Sequence, residues 1–371
     1  MSAPGTHAMV LSGGAAYAAY EVGVMKALFS GVSPATSYAP LEPDIFTGTS
    51  AGAFNASVLL SAPFSETSVA LDYLESIWLN EVATTPNSCG NGVFRFRPAF
   101  ADLLNPGCYS ENPILPFAEL VSDAAFFSQD WLQRGINFLT SSAGVEQRVI
   151  ELVDLGTALA IDRVEQLVAR IVQPGKLRES TKALRITATN WKSGDVRVFC
   201  NENLTDDIGV QVILASTSIP GIFRPIEIEG ELYVDGSVVT NTPLKQAIDA
   251  GGETLHVAYI NPDAQVIPLP PLRNTASAIY RIMVMSSAAM MNRDIEIASR
   301  VNENLQLTDS AVEQSRGHRK ITIHRYHPRD FTQGLLGWLT FGRDHVADII
   351  RQGFIDTSEH DCGINKCILP N

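Results

Sequence analysis

The chain has 371 residues, 45% of them apolar, with a formal net charge of −13 and a pI near 5.0. That length and composition fill a sizeable hydrophobic core, and the acidic balance weighs against nucleic-acid binding. It also removes general attraction to anionic membranes, so any lipid contact has to be local and apolar.

Met1 to His7 has no basic run followed by a long apolar stretch, and no uninterrupted apolar run approaches the ~20 residues of a spanning helix. A cytoplasmic protein is expected, although export without a cleaved signal would leave the same trace. Met9 to Leu11 reads as a short strand ending at Ser12-Gly13-Gly14, and Ala16 to Phe29 as the helix that follows, with Val22, Met25, Leu28 and Phe29 inward. The same strand, glycine turn and helix recur where Asp44 to Thr47 runs into Gly48-Thr49-Ser50-Ala51-Gly52 and then Ala53 to Leu60. Two such units in about sixty residues predict a parallel α/β sheet with sites at the carboxyl ends of its strands.

A helix is predicted from Ser65 to Leu79, capped by Ser65. From Thr84 to Lys176 the character changes: Pro, Gly and Asn punctuate the first part, and helical periodicity returns at Ile114 to Val121 and Val149 to Val172. This stretch reads as a helical, lid-like insertion covering the sheet. Leu184 to Thr189 and Val196 to Phe199 form a strand pair around Lys192-Ser193-Gly194-Asp195. Ile208 to Ser216 reads as a helix, Glu231 to Val234 as a strand, Pro243 to Ala250 as a helix with Pro in its first turn, and His256 to Ile260 as a buried strand. A long helix over Ala276 to Val301, a strand at Lys320 to His324 and a helix from Asp344 to Phe354 complete the chain. One catalytic domain is expected, with its core at 7–260 and a C-terminal extension at 261–371.

The Gly-x-Ser-x-Gly turn sets Ser50 at a strand-to-helix corner, where small neighbours admit a substrate and the helix N-terminus favours developing negative charge. Gly13-Gly14 ends the first strand in the same way, and its backbone N–H groups suit an oxyanion. A dinucleotide-binding turn is the rival there, but the run lacks the third glycine of G-x-G-x-x-G. Tyr233-Val234-Asp235-Gly236-Ser237 places an acid at a strand end.

Leu11-Ser12-Gly13-Gly14 with Tyr20-Glu21-Val22-Gly23-Val24, then Gly48 to Gly52, then Val234-Asp235-Gly236 with Asn241-Thr242-Pro243, in that order, resemble the patatin-like phospholipase family over about Met9 to Ile260. Ala215 to Pro220 resembles the small-residue segment that this family carries before its Asp. The resemblance implies a three-layer α/β/α fold with a mostly parallel central sheet. It implies a serine lipid acyl hydrolase in which Ser50 is the nucleophile, Asp235 the general base, and Gly13, Gly14, Ala15 and Ala51 the candidate oxyanion hole. The expected partners are a lipid or ester substrate and, transiently, a membrane surface. No cofactor and no metal is expected.

The glycine motif departs from the family pattern. Ala15 stands for its third Gly, keeping the N–H in place if the backbone there is right-handed. Tyr17 stands for its basic residue and Ala18 for its last Gly. Without that cation, a neutral ester is as good a substrate as a phospholipid. A catalytically weakened lipid-binding protein is a further reading. So is an α/β-hydrolase drawing on His256 or His345, although only about two strands fit before Ser50 where that fold normally has several. The five cysteines show no CxxC spacing and no adjacent histidine cluster, which argues against zinc. Cys362 and Cys367 are close enough in sequence to bridge, but free thiols are expected. Gly334 to Phe341 is a candidate interfacial or core patch, and the methionines Met283, Met285, Met290 and Met291 suit either the core or an acyl-chain tunnel.

Overall fold

The computed structural model describes residues 6–85, 92–93, 95–98, 104–107, 114–141, 159–260, 275–307, 319–329 and 340–369. Its strands are β1 (His7–Leu11), β2 (Ile45–Thr49), β3 (Arg95–Phe96), β4 (Leu159–Ala160), β5 (Ala183–Asn190), β6 (Val196–Cys200), β7 (Ile226–Ile228), β8 (Glu231–Asp235), β9 (Thr254–Ala258) and β10 (Thr322–Tyr326). Its main helices are α1 (Ala19–Phe29), α2 (Ala51–Ser61), α3 (Thr67–Ile77), α4 (Leu115–Thr140), α5 (Asp162–Ile171), α6 (Pro174–Glu179), α7 (Gly209–Ser216), α8 (Leu244–Asp249), α9 (Thr275–Leu307) and α10 (Arg343–Ser358).

Eight strands form one sheet in the order β10-β9-β1-β2-β5-β8-β7, with β6 also on β5. The run from β10 to β5 is parallel, while β6, β8 and β7 add antiparallel pairs. Strand alternation gives two cores. Met9 and Leu11 of β1 face a core shared with α1, α2, α3, α7 and α10. Ala8 and Val10 face one shared with α8 and the later turns of α9, through Leu244, Ala247, Met291 and Ala298. The expected three-layer fold is therefore the one observed.

α1 is apolar nearly all round because α10 covers the side turned away from the sheet. Gly23 and Gly353 permit that close approach: a Cβ on Gly23 would lie 1.9 Å from Ile350 O, and one on Gly353 2.1 Å from Tyr20 O.

The sheet builds the site at one junction. β2 pairs with β5 over Ala183 to Thr187, and β8 pairs with it over Ala188 to Asn190 from the opposite direction. β6 overlaps both stretches, so it occupies the other edge, and β2 and β8 meet end to end. Thr49 is opposite Thr187 and Asp235 opposite Ala188, which brings the end of β8 to the residue after β2, Ser50.

Several elements differ from expectation. Glu66, not Ser65, precedes the first residue of α3, and no side chain caps that turn. The helix foreseen from Ile114 to Val121 runs on to Thr140. Of the span Val149 to Val172, residues up to 158 lie outside the described ones, and the rest begins with β4, where a helix was expected, before α5 starts at Asp162. β7 was not foreseen. It is three residues long, too few to show alternation, and is joined to β8 by Glu229-Gly230, both at positive φ as a tight hairpin turn requires.

Candidate active site

Ser50 sits between the last residue of β2 and the first of α2 with φ 55° and ψ −128°, a conformation that costs a non-glycine residue on the order of 1–3 kcal/mol. Glycine neighbours make the corner possible. A Cβ on Gly48 would strike the Ala53 backbone at 2.6 Å, and one on Gly52 would strike Leu11 O at 2.4 Å. Ser50 N–H donates to Ser216 Oγ at 2.9 Å, and that hydroxyl donates to Thr187 O at 2.8 Å. The small-residue segment before Asp235 thereby pins the elbow to β5.

Ser50 Oγ donates to Asp235 Oδ2 at 2.6 Å, and Asp235 Oδ1 accepts from Ser237 N–H at 2.7 Å. Both side chains are buried. Burial pushes the Asp235 carboxyl up to about 6, against the opposing effect of the hydrogen bonds from Ser50 and Ser237. Gly236 is required beside it, since a Cβ there would meet Thr187 O at 2.5 Å.

The glycine loop after β1 is clamped by the segment after Asp235. Gly13 N–H donates to Asn241 O at 3.0 Å, and the Ser12 and Thr242 hydroxyls lie 2.8 Å apart. Gly13 therefore leaves the candidate oxyanion set, because its donor is spent on Asn241 O. Gly14 and Ala15 precede and open the 3-10 turn Ala15–Ala18, and Ala51 opens α2. At these positions helix geometry supplies no acceptor for the N–H. Ala15 has φ 48°, so the right-handed backbone on which its N–H was made to depend is not the one adopted; its place at the start of the 3-10 turn is what leaves that N–H without a helical acceptor.

An apolar cleft of about 810 Å³, counted to its open mouth, lies over Ser50. Phe54, Trp78, Leu214, Ile219 and Phe223 line one part, and Val164, Leu167 and Val168 of α5 form a wall from the insertion. No described lining residue carries a charge. Neither Met290 nor Met291 lines it, which removes them as walls of this cleft, and Met291 packs instead in the second core. Of the patch Gly334 to Phe341, residues 334–339 lie outside the described ones, and Phe341 is buried in the cleft wall.

Two features escaped sequence reasoning. Beneath the cleft, Trp78 Nε1 donates to Asn55 Oδ1 at 2.7 Å and Asn55 Nδ2 to Glu21 Oε2 at 2.8 Å. Burial pushes the Glu21 carboxyl well above the usual range, against bonds from Asn55 and the Ser12 backbone, so it favours the neutral acid. The second is α4. Phe117, Val121, Trp131, Leu132 and Leu139 form an exposed stripe, while Glu119 and Asp123 point inward to Arg95, Arg97 and Arg163.

Tyr17 does not occupy the place of a headgroup cation. It is buried, packs edge-on against His345 at 6.2 Å between centroids, and is absent from the cleft lining. Burial pushes its hydroxyl up to about 12. His256 is also engaged elsewhere, 2.9 Å from Tyr326 Oη and 3.3 Å from His7. The expectation that no histidine cluster lies near the cysteines fails. His324, His360, Cys362 and Cys367 offer donor atoms all within 4.8 Å of one another, because β10 and the end of α10 converge. That set can hold a metal. Cys200, Cys362 and Cys367 are unbridged, and Cys89 and Cys108 lie outside the described residues.

The model of the patatin-like phospholipase family matches residues 9–248. Among solved structures, VipD from Legionella pneumophila is similar at 16% identity, over 96% of this chain and 67% of that one, with a TM-score of 0.39.

Proposed function

Since this chain belongs to the patatin-like phospholipase family, and so to a group of lipid acyl hydrolases, we propose that Ser50 and Asp235 carry out the hydrolysis as a dyad without histidine. The 2.6 Å hydrogen bond from a strained serine to a buried carboxylate, at the floor of an apolar cleft, is the observation that supports this most.

Asp235 takes the Ser50 proton as the oxygen attacks the ester carbonyl. The carbonyl oxygen becomes an oxyanion beside the N–H groups of Gly14, Ala15 and Ala51, with the α2 N-terminus behind it. Asp235 returns the proton to the leaving alcohol, and the acyl chain stays on Ser50 in the cleft. Asp235 then activates a water that releases the acid. A carboxyl held near 6 is deprotonated at neutral pH and is a stronger base than an exposed aspartate.

The cleft favours an acyl chain over any charged group, so the proposed substrate is a lipid or ester bound by its hydrocarbon portion, with the headgroup at the mouth. Residues 84–176 act as the lid, with 7–260 as the catalytic core. The lid also meets the lipid surface, through the apolar stripe of α4. No described helix is long and apolar enough to cross a membrane, and a helix with one apolar face suits an interface.

Medium-chain p-nitrophenyl esters and an alkyl fluorophosphonate probe test the dyad. Ser50→Ala abolishes both turnover and labelling, and Asp235→Asn abolishes turnover, with folding intact in both. Full turnover in either variant overturns the dyad. An intact Ser50 that neither labels nor turns over any ester would favour a lipid-binding protein.

A further inference from the structure

We propose that His324, His360, Cys362 and Cys367 bind one zinc ion, which fastens the C-terminal segment to the edge of the sheet. Cys362 Sγ lies 3.5 Å from His324 Nδ1 and 3.5 Å from His360 Nε2, and Cys367 Sγ lies 3.3 Å from His360 Nε2. Zinc bonds of ~2.3 Å to sulfur and ~2.05 Å to nitrogen, at the tetrahedral angle, set N···S edges of about 3.5 Å. Three of the six edges of the coordination tetrahedron are therefore already at about their zinc-bound length. Two nitrogen and two sulfur donors in this arrangement select zinc among the common divalent ions. An iron–sulfur cluster with two His and two Cys binds them to different irons, which would separate nitrogen from sulfur. Here three nitrogen–sulfur pairs lie within 3.5 Å and all four donors within 4.8 Å.

The surroundings hold the donors in place. Both imidazoles are buried. The His324 ring stacks on His256, with centroids 5.2 Å apart, and their strands pair in register. Arg325 N–H donates to Cys367 Sγ from 3.4 Å, which fixes the place of that sulfur. The Cys362–Cys367 loop is closed by Cys367 N–H donating to Cys362 O at 2.9 Å. Asn365 sets the back of the His360 ring, its Nδ2 lying 2.7 Å from Nδ1 and 3.0 Å from Arg325 O, while its own Oδ1 is buried without a partner. Zinc on Nε2 requires that amide to turn over, so that Oδ1 accepts from His360 Nδ1–H and the bond to Arg325 O is given up. This is the tautomer that leaves Nε2 to the metal.

The fold gives the ion a structural task. β10 ends the sheet, and an open edge strand invites pairing with other chains. Ile368 covers part of that edge by exchanging two hydrogen bonds with Ile323, of 2.8 and 2.9 Å. Zinc would tie this cover and the end of α10 to β10. The site lies three strands from β2, about 14 Å at ~4.8 Å per strand, so it does not share in the chemistry at Ser50.

The test uses the full chain, purified without a polyhistidine tag or chelator and with its thiols reduced. Elemental analysis is expected to give about one zinc per chain, and chelation to lower the melting temperature. The chelated chain with cobalt(II) should show the visible bands of tetrahedral coordination and a thiolate charge-transfer band. Cys362→Ser and Cys367→Ser should each weaken zinc binding about tenfold or more, and His324→Asn should do the same. Should these variants fail to fold, the cobalt spectrum of the unaltered chain decides. The proposal is overturned if the reduced chain takes up no zinc, if zinc stays on the double Cys362→Ser/Cys367→Ser variant, or if the freshly isolated chain has the two-hydrogen mass deficit of a Cys362–Cys367 disulfide.

Discussion

Asp235 is fully buried, and its carboxyl is raised from the ordinary 3.8 to about 6. The native state therefore holds this proton more tightly than the unfolded chain does. The associated stability is complete below about pH 3.8 and is lost as pH rises through about 6. At neutral pH the ionised carboxylate thus costs the fold up to about 3 kcal/mol. Asp235→Asn should melt above the unaltered chain at about pH 8, with the gap closing in acid, while a soluble ester is hydrolysed only by the unaltered chain, at a rate rising through about pH 6. Equal melting of the two proteins at high pH would refute this account. Ala15 makes a different case. Its φ of 48° costs an alanine on the order of 1–2 kcal/mol, so Ala15→Gly should raise the unfolding free energy, read from chemical denaturation, by up to about 1 kcal/mol and leave esterase activity in place. Ala15→Val should lower both. At Tyr17 the expectation of a headgroup position gives way to a structural one. Tyr17→Arg would bury a guanidinium beside His345 and should destabilise the chain by several kcal/mol, read as a lower melting temperature, without promoting phospholipid turnover.

α4 has its polar face turned inward. Its ion pairs join it to α5 through Arg163 and Glu119, at 3.0 Å, and Val164, Leu167 and Val168 of the same helix wall the cleft. A lipid surface that engages the outer stripe is thereby connected to the acyl site through one buried charge cluster. Trp131→Ser combined with Leu132→Ser should leave stability nearly unchanged, both side chains being exposed. It should lower hydrolysis of vesicle-borne lipid about tenfold while sparing a soluble ester. Equal loss on both substrates would show that the stripe does not serve an interface. Asp123→Ala should act differently, leaving Arg95 buried without its 2.7 Å partner and costing about 3–5 kcal/mol, visible in chemical denaturation.

At the scale of the molecule, legibility followed chain continuity. Both strand, turn and helix units, Ser50 and Asp235 are written in contiguous residues, and the sheet assembled from them as its order of motifs implied. What was illegible depends on residues brought together from afar. Gly13 is silenced by Asn241 across the chain, and the zinc site joins His360, Cys362 and Cys367, neighbours in sequence, to a His324 that only the fold brings beside them. Tyr17 turned inward because a 3-10 turn replaces the first turn of the expected helix. Periodicity showed only the first turns of α4; which of its faces is buried was decided by the arginines of β3 and α5, with Arg97. A further lesson concerns β5. The first part of this strand spaces the end of β2 and the second part spaces the end of β8, so it serves as the gauge block of the reaction centre. Removing one residue near Thr187 would shorten that gauge by about 3.3 Å and reverse the side chains beyond it, silencing the enzyme without altering either reacting group. Length variation among relatives should therefore gather in residues 84–176 and spare 183–190.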